Sequence, residues 1–265
     1  MEQVEKDNIT KIAIDDFALL KRKKYGTVII DQETGQYVQF IESRKKEDVK
    51  ETLKEYKNLK LVTRDRATAY GNAISEVNPD VIQIADFFHF LANLTDKAIT
   101  HIRTKIYGEV YFDKNFQITK SKPNSEYVLK RNKIETFIYN GNEEHLNKIE
   151  KKLLRIILKN NKDIEIITKA IKKMKNIVKN KDIKAFKKLI QKWEKGDISI
   201  LRTYTKGIYD DFDAVCNAVK YDYTNGIAEG KINKIKTIKR QCYGRSSFEL
   251  LTARLFLHDY FLAFE

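Results

Sequence analysis

The chain has 265 residues, 42% hydrophobic and 11% aromatic, which is enough to bury a core and excludes wholesale disorder. Its 51 Lys and Arg against 37 Asp and Glu leave a formal charge of +14, a surplus that favours a polyanionic partner or a lysine-rich solvated surface. Two distant cysteines, Cys216 and Cys242, exclude a disulfide framework and a zinc ribbon within this chain, and no apolar run approaches membrane-spanning length.

Lys11–Phe17 (KIAIDDF) reads as a short apolar strand ending in two acids. Gly26–Asp31 and Gln36–Glu42 are β-rich and flank the turn-like segment QETG, so the first three segments predict an antiparallel meander. Lys46–Tyr56 places Val49, Leu53 and Tyr56 on one helical face. Leu59–Thr63 is the next strand and runs into Arg64-Asp65-Arg66, after which a short helix extends to Val77. Asn78-Pro79-Asp80 breaks that helix, Val81–Ala85 is a fifth strand, and the chain is helical again from Phe88. This element order predicts an α/β chain with an RNase H-like mixed sheet and flanking helices.

Residues 108–142 read as polar and irregular, whereas residues 143–219 predict helix after helix with Ile-rich stripes opposite Lys-rich faces. A final helical stretch covers residues 226–262, with a break near Tyr243-Gly244. The expected organisation is therefore a first core part at 11–107, a mainly helical insertion at 108–220, and C-terminal helices at 221–265 that complete the core.

Asp15 and Asp65 each follow an apolar strand, where a charge is costly unless it is solvated, paired or bound to metal. In the expected fold their strands are neighbours and the carboxylates converge at one sheet edge, a donor set suited to Mg²⁺ or Mn²⁺. Taken singly, either aspartate is better explained as a turn cap. The flanking blocks add to this: IAIDDFA at 12–18, Tyr25-Gly26-Thr27, TRDRATAY at 63–70, IADFFHFLANL at 84–94 and TNGIAEGKINKIKTIKRQCYG at 224–244. In order along the chain, they resemble insertion-sequence transposases of the ISL-three type. The resemblance implies an RNase H-like core, a helical insertion before the last acid, and an acidic triad that holds two metal ions, with no zinc in this chain.

Carried over residue by residue, Asp15 matches the first acid and Asp65 the second, with Arg64 and Arg66 beside it reaching for phosphate. Glu229 matches the third. It stands two helical turns before Lys236 on one face, so that a metal-directed carboxylate and a DNA-directed cation project together. Glu249 is its competitor, in an amphipathic setting (FELLTARL) that reads as structural. Asn225, Asn233, Lys236, Lys239 and Arg240 are expected to face DNA, as is His89. Asp16 and Asp86 are expected as supporting groups, with strand alternation turning Asp16 to the opposite face. The resemblance implies cleavage and strand transfer at transposon ends, and duplex DNA partners in the form of terminal inverted repeats and a target. It also implies a homo-oligomer assembled on DNA and a cytoplasmic, nucleoid-associated setting. Relatives carry an N-terminal zinc ribbon and helix-turn-helix that this sequence does not contain, so end recognition is expected from a separate module. The rival readings are a catalytically silent DNA-binding remnant and an RNase H-like nuclease that cuts without joining.

Overall fold

The computed structural model describes residues 5–120 and 122–262. From the N-terminus it contains β1 (Lys11–Leu20), β2 (Lys24–Asp31), β3 (Tyr37–Ile41), α1 (Lys46–Leu53), β4 (Leu61–Arg64), α2 (Thr68–Val77) and β5 (Ile82–Ala85). There follow α3 (Phe87–Lys105), β6 (Glu109–Phe112), β7 (Ile118–Thr119), β8 (Tyr127–Lys130), α4 (Arg131–Asn140) and α5 (Lys148–Asn160). The remainder is α6 (Lys162–Lys179), α7 (Ile183–Glu194), α8 (Ser199–Tyr209), α9 (Phe212–Lys220), α10 (Gly226–Gln241) and α11 (Phe248–Leu262). Two compact units result: residues up to 87 joined by those from 211 onward, and residues 88–210 between them.

The first unit is built on a five-stranded sheet of order β3-β2-β1-β4-β5. Strands β1, β2 and β3 pair antiparallel, whereas β1, β4 and β5 pair parallel, which gives the mixed sheet of an RNase H-like fold. Side-chain alternation along β1 separates two cores. Ile12 and Ile14 pack with Val49, Leu53, Tyr70 and Ile74 of α1 and α2. Ala13 and Phe17 pack on the other face with Ala228, Ile232 and Ile235 of α10 and Leu251 and Leu255 of α11. Gly26 lies opposite Phe17 in the β1–β2 register, where a Cβ would come within 2.9 Å of both the Phe17 ring and the Ile41 carbonyl. Only a glycine allows that ring to lie across the hairpin.

Both edges of this sheet are covered. Asn217 of α9 donates its side-chain amide to the Gln83 carbonyl of β5. At the other edge Asp259 of α11 accepts the Tyr37 backbone N–H and holds the Lys231 ammonium, while the Tyr37 hydroxyl donates to the Lys231 carbonyl. Pairing edge groups in this way removes sites at which another chain's strand could add.

The second unit departs from the sequence expectation in its first third. Residues 108–142, read as irregular, hold a three-stranded antiparallel sheet of order β7-β6-β8 followed by α4. Strands of two to four residues expose one or two side chains per face, too few for alternation to register against background. Phe112 and Leu129 are nevertheless buried there, and Phe116 stacks on Tyr127 with ring centroids 4.7 Å apart. The helices that follow match their stripes: Leu153, Leu154 and Ile157 of α5, Ile164, Ile167, Ile171 and Met174 of α6, and Phe186, Leu189, Ile190 and Trp193 of α7 are buried. Asn147 and Glu150 form a capping box at the start of α5, and His101 of α3 lies 2.7 Å from Asp163 of α6. Among the described residues no helix is long and apolar enough to cross a membrane.

Candidate active site

Three aspartates lie in one row across the parallel part of the sheet. The β1–β4 register pairs Ile14 with Arg64, and the β4–β5 register pairs Arg64 with Ala85. One residue further along each strand stand Asp15, Asp65 and Asp86, and the Asp86 N–H donates to the Arg64 carbonyl at 2.9 Å. Neighbouring strands are about 4.8 Å apart, so adjacent members of the row are held close by backbone pairing alone. The alternation that sends Ala13 toward α10 sends Asp15 the same way, and Thr63 and Asp65 follow on β4. β1 does not end at the acids, as the sequence suggested, but runs on to Leu20 against β2. Only its pairing with β4 stops at Ile14, so the two strands part beside Asp15 in the middle of the sheet.

Asp15 and Asp65 share a local device. Asp15 accepts the Asp16 backbone N–H at 2.7 Å, and Asp65 accepts the Arg66 backbone N–H at 2.5 Å, so each carboxylate is oriented by the peptide that follows it. Burial pushes the Asp15 carboxyl up to about 7; the Asp16 N–H opposes that shift, and the charges of Asp65, Asp16 and Asp86 add to it. Asp86 is itself 3% exposed. Asp16 points to the other face, as alternation requires, and pairs with Arg44 at 2.9 Å.

Asn225 joins the row to α10. It precedes the helix, is 1% exposed, and donates its side-chain amide to Asp15 at 3.2 Å while its carbonyl oxygen accepts from the Thr63 hydroxyl at 3.2 Å. Gln32 continues the chain of polar contacts, donating to the Thr224 carbonyl at 3.0 Å. The sequence placed Asn225 toward DNA or water; it is instead a buried strut that fixes the start of α10 against β1 and β4. Buried amides of this kind need both ends satisfied, and here both are.

One turn into α10, the Glu229 N–H donates to the Asn225 carbonyl at 3.1 Å. Its side chain is exposed, and its carboxylate makes no hydrogen bond or ion pair with any described residue. Asp15, Asp65 and Glu229 are not gathered into a single ligand set, since no group of three such side chains among the described residues could hold a metal ion. Glu249 sits elsewhere: hydrogen bonds from its own backbone N–H and from Ser247 lower its pKa, and Lys24 adds to this. Lys24 pairs with Leu20, five residues along β1 from Asp15, roughly 16 Å at strand rise.

The basic residues divide by burial. Arg64, expected to reach for phosphate, is 4% exposed and turned to the α2 face. Its guanidinium grips Asp211 with two bonds of 3.0 and 2.7 Å, donates to Gln83 at 2.7 Å, and lies so close to Gly71 that a Cβ there would be 3.0 Å from it. Its donors are directed into the protein rather than toward DNA. Lys239 is likewise corrected, because its ammonium donates to the Ala18 carbonyl at 2.7 Å and burial lowers its pKa. Arg66 is half-buried, with Nε 3.7 Å from Asp211. Asn233, Lys236 and Arg240 remain on the exposed side of α10, Lys236 within 3.4 Å of the Asn233 side chain. His89 is exposed on α3 in the second unit.

Sequence reasoning underweighted Asp86 and missed Asp211. The signal for Asp86 was present, since it follows β5 as Asp65 follows β4. Asp211 carried none, because its partner is 147 residues away.

Comparison with known proteins gives the chain's relatives. A family model described as a transposase of the DDE, ISL3 type matches residues 12–255. The transposase for insertion sequence element IS1001 of Bordetella parapertussis is 22% identical over 245 residues, which cover 89% of this chain and 57% of that protein. The chain thus spans somewhat over half the length of that relative.

Proposed function

Since the chain belongs to the ISL3-type DDE transposase family, we propose that the aspartate row of the first unit is a metal-dependent site for DNA strand cleavage and strand transfer. The observation that carries this reading is Asp15, a carboxyl raised to about 7 by burial and by its acidic neighbours where β1 and β4 part. Arg64 is committed to Asp211 and Arg44 to Asp16, and Arg66 has its Nε toward Asp211. An uncompensated carboxylate cluster fits a hard divalent cation, which prefers carboxylate, water and phosphate oxygens.

Asp15, Asp65 and Glu229 would hold the ions, Mg²⁺ or Mn²⁺ and two in number. When bound, such ions neutralise phosphate charge and acidify the attacking oxygen. Asn225 holds the Asp15 carboxylate in one orientation through its amide. Glu229, exposed on the first turn of α10 and outside the row in this structure, would turn toward it to complete the set, and Asp86 adds to the negative field at Asp15. Asn233, Lys236 and Arg240 on α10, together with Arg66 and His89, contact the DNA backbone. In the first reaction a water oxygen attacks the phosphorus at the transposon end. The P–O3′ bond breaks, and the leaving oxygen takes up a proton as a free 3′-hydroxyl. In the second that hydroxyl attacks a target phosphodiester, one P–O bond forming as another breaks. Positioning and charge neutralisation do most of this work.

This reading includes terminal inverted repeats and target DNA as partners, an oligomer assembled on DNA, and end recognition by a zinc-ribbon and helix-turn-helix module. It also places the protein in the cytoplasm, at the nucleoid. The test is Mg²⁺- or Mn²⁺-dependent cleavage and joining of terminal-repeat DNA. Asp65→Asn is expected to lose activity by on the order of 10³-fold, as removal of an electrostatic stabiliser does, and full activity in that variant would overturn the assignment. Glu229→Gln is expected to match that loss and Glu249→Gln to leave activity near the parent value.

A further inference from the structure

The positive charge of the chain is not shared between its two units. Residues 88–210 contain 28 Lys and Arg against 14 Asp and Glu, a net +14, while the remaining residues contain 23 of each and are neutral. Within the second unit the α6–α7 hairpin carries the largest share of that charge, since residues 162–195 hold 12 lysines and four acids. Each of those acids is already engaged. Asp163 faces His101, Glu165 pairs with Lys169, Asp182 caps α7 through the Ala185 N–H, and Glu194 accepts from the Tyr209 hydroxyl. Lys172, Lys173, Lys179, Lys184, Lys188 and Lys192 are all exposed, and none makes an ion pair or hydrogen bond with a described residue.

We infer that the outer face of the α6–α7 hairpin is a sequence-independent binding surface for the phosphate backbone of duplex nucleic acid. Three features select that partner. The apolar sides of both helices are buried in their own unit, through Ile167, Ile171 and Met174 on α6 and Phe186, Ile190 and Trp193 on α7, so neither has an apolar face left to enter a membrane. The face itself offers no aromatic or arginine anchor, and lysine is depleted at protein–protein interfaces. Lysine is a point charge on a flexible stem, without the planar fork that reads bases or carboxylates bidentately, so it contacts phosphate without reading sequence. A duplex presents one negative charge per about 1.7 Å of axis. Exposed lysines one to two helical turns apart, such as Lys169, Lys172 and Lys179, form a matching rigid row.

This inference does not depend on the aspartate row being catalytic, and its test is made in EDTA, so that failure of one leaves the other standing. Binding of the full chain to a fluorescent duplex of arbitrary sequence is followed by anisotropy from 50 to 300 mM salt. Replacing Lys172, Lys173, Lys179, Lys184 and Lys188 by Gln is expected to lower affinity at least about 100-fold at the lowest salt. The same variant should flatten the log–log salt slope by about 0.9 for each phosphate it no longer neutralises. A control carrying the same charge change in the first unit (Gln at Lys21, Lys23, Lys45, Lys57 and Lys60) is expected to change affinity less than about threefold, since it removes net charge away from the binding face. Equal weakening in the two variants, or parent-like binding by the hairpin variant, would overturn the proposal. So would binding of polyglutamate as tightly as the duplex. A circular dichroism spectrum of the hairpin variant that matches the parent shows that the weaker binding does not come from unfolding.

Discussion

The two units handle charge in opposite ways. In the first, almost every buried charge has a specific partner: Arg64 with Asp211, Lys231 with Asp259, and Asp15 with Asn225 and the backbone. In the second, apolar stripes build the interior and many lysines are left facing solvent without counter-ions. A neutral unit full of committed polar contacts suits a site that must hold carboxylates within tenths of an ångström. A surplus of uncommitted cations suits a polyelectrolyte partner, whose contacts need proximity but little geometry.

That contrast can be broken most easily at Arg64. Its guanidinium satisfies Asp211, Gln83 and the Asp65 carbonyl together, so Arg64→Ala strands a charge and two polar groups in a buried place. Breaking a buried pair from one side costs about 3–5 kcal/mol. Thermal denaturation is therefore expected to show a large fall in melting temperature, or no folded protein at all. Arg64→Lys should recover little, because an ammonium cannot reproduce the two-bond grip on Asp211. If Arg64→Ala melts with the parent and weakens DNA binding instead, Arg64 belongs with the exposed lysines and the contrast fails.

A smaller effect sharpens it. The Asp15 carboxyl is raised from its ordinary value to about 7 in the folded chain, so the folded state binds more protons than the unfolded state between about pH 4 and pH 7. Its contribution to stability is complete below the unfolded value and is lost as pH rises through about 7. Asp15→Asn removes that penalty. In EDTA the variant is expected to melt several degrees above the parent at pH 8 and close to it at pH 4, using about 2–4 °C per kcal/mol for a chain of this size. A variant no more stable than the parent at pH 8 would mean that Asp15 is not under strain from its neighbours.

How far the sequence could be read depended on the range of the interaction. Strands with apolar runs of four or more residues were legible because periodicity is a local signal, and so were the helical stripes of α5 to α7; Asp65 follows its strand as read, whereas Asp15 lies inside β1, where only the pairing with β4 ends. Residues whose role is set by a distant partner were not. Arg64 and Asp211, or Lys239 and the Ala18 carbonyl, are separated by 147 and 221 positions, and an arginine or lysine in a charged segment reads as exposed until its partner is seen. The small sheet of β6, β7 and β8 escaped notice for a different reason, since strands this short carry no period. Asn225 stood between the two classes: its nearness to Glu229 could be read, but its bond to Asp15 across 210 positions could not.

The central claim is that Asp15 and Asp65 form a divalent-cation site where β1 and β4 part, and Mn²⁺ binding followed by electron paramagnetic resonance from pH 6 to pH 8.5 tests it most directly. Binding requires the ionised Asp15 carboxylate, so affinity in the parent is expected to rise with pH through about 7, and Asp65→Asn is expected to abolish the binding. Mn²⁺ binding that is identical in the parent and in Asp65→Asn, or absent from the parent at every pH, would contradict the account.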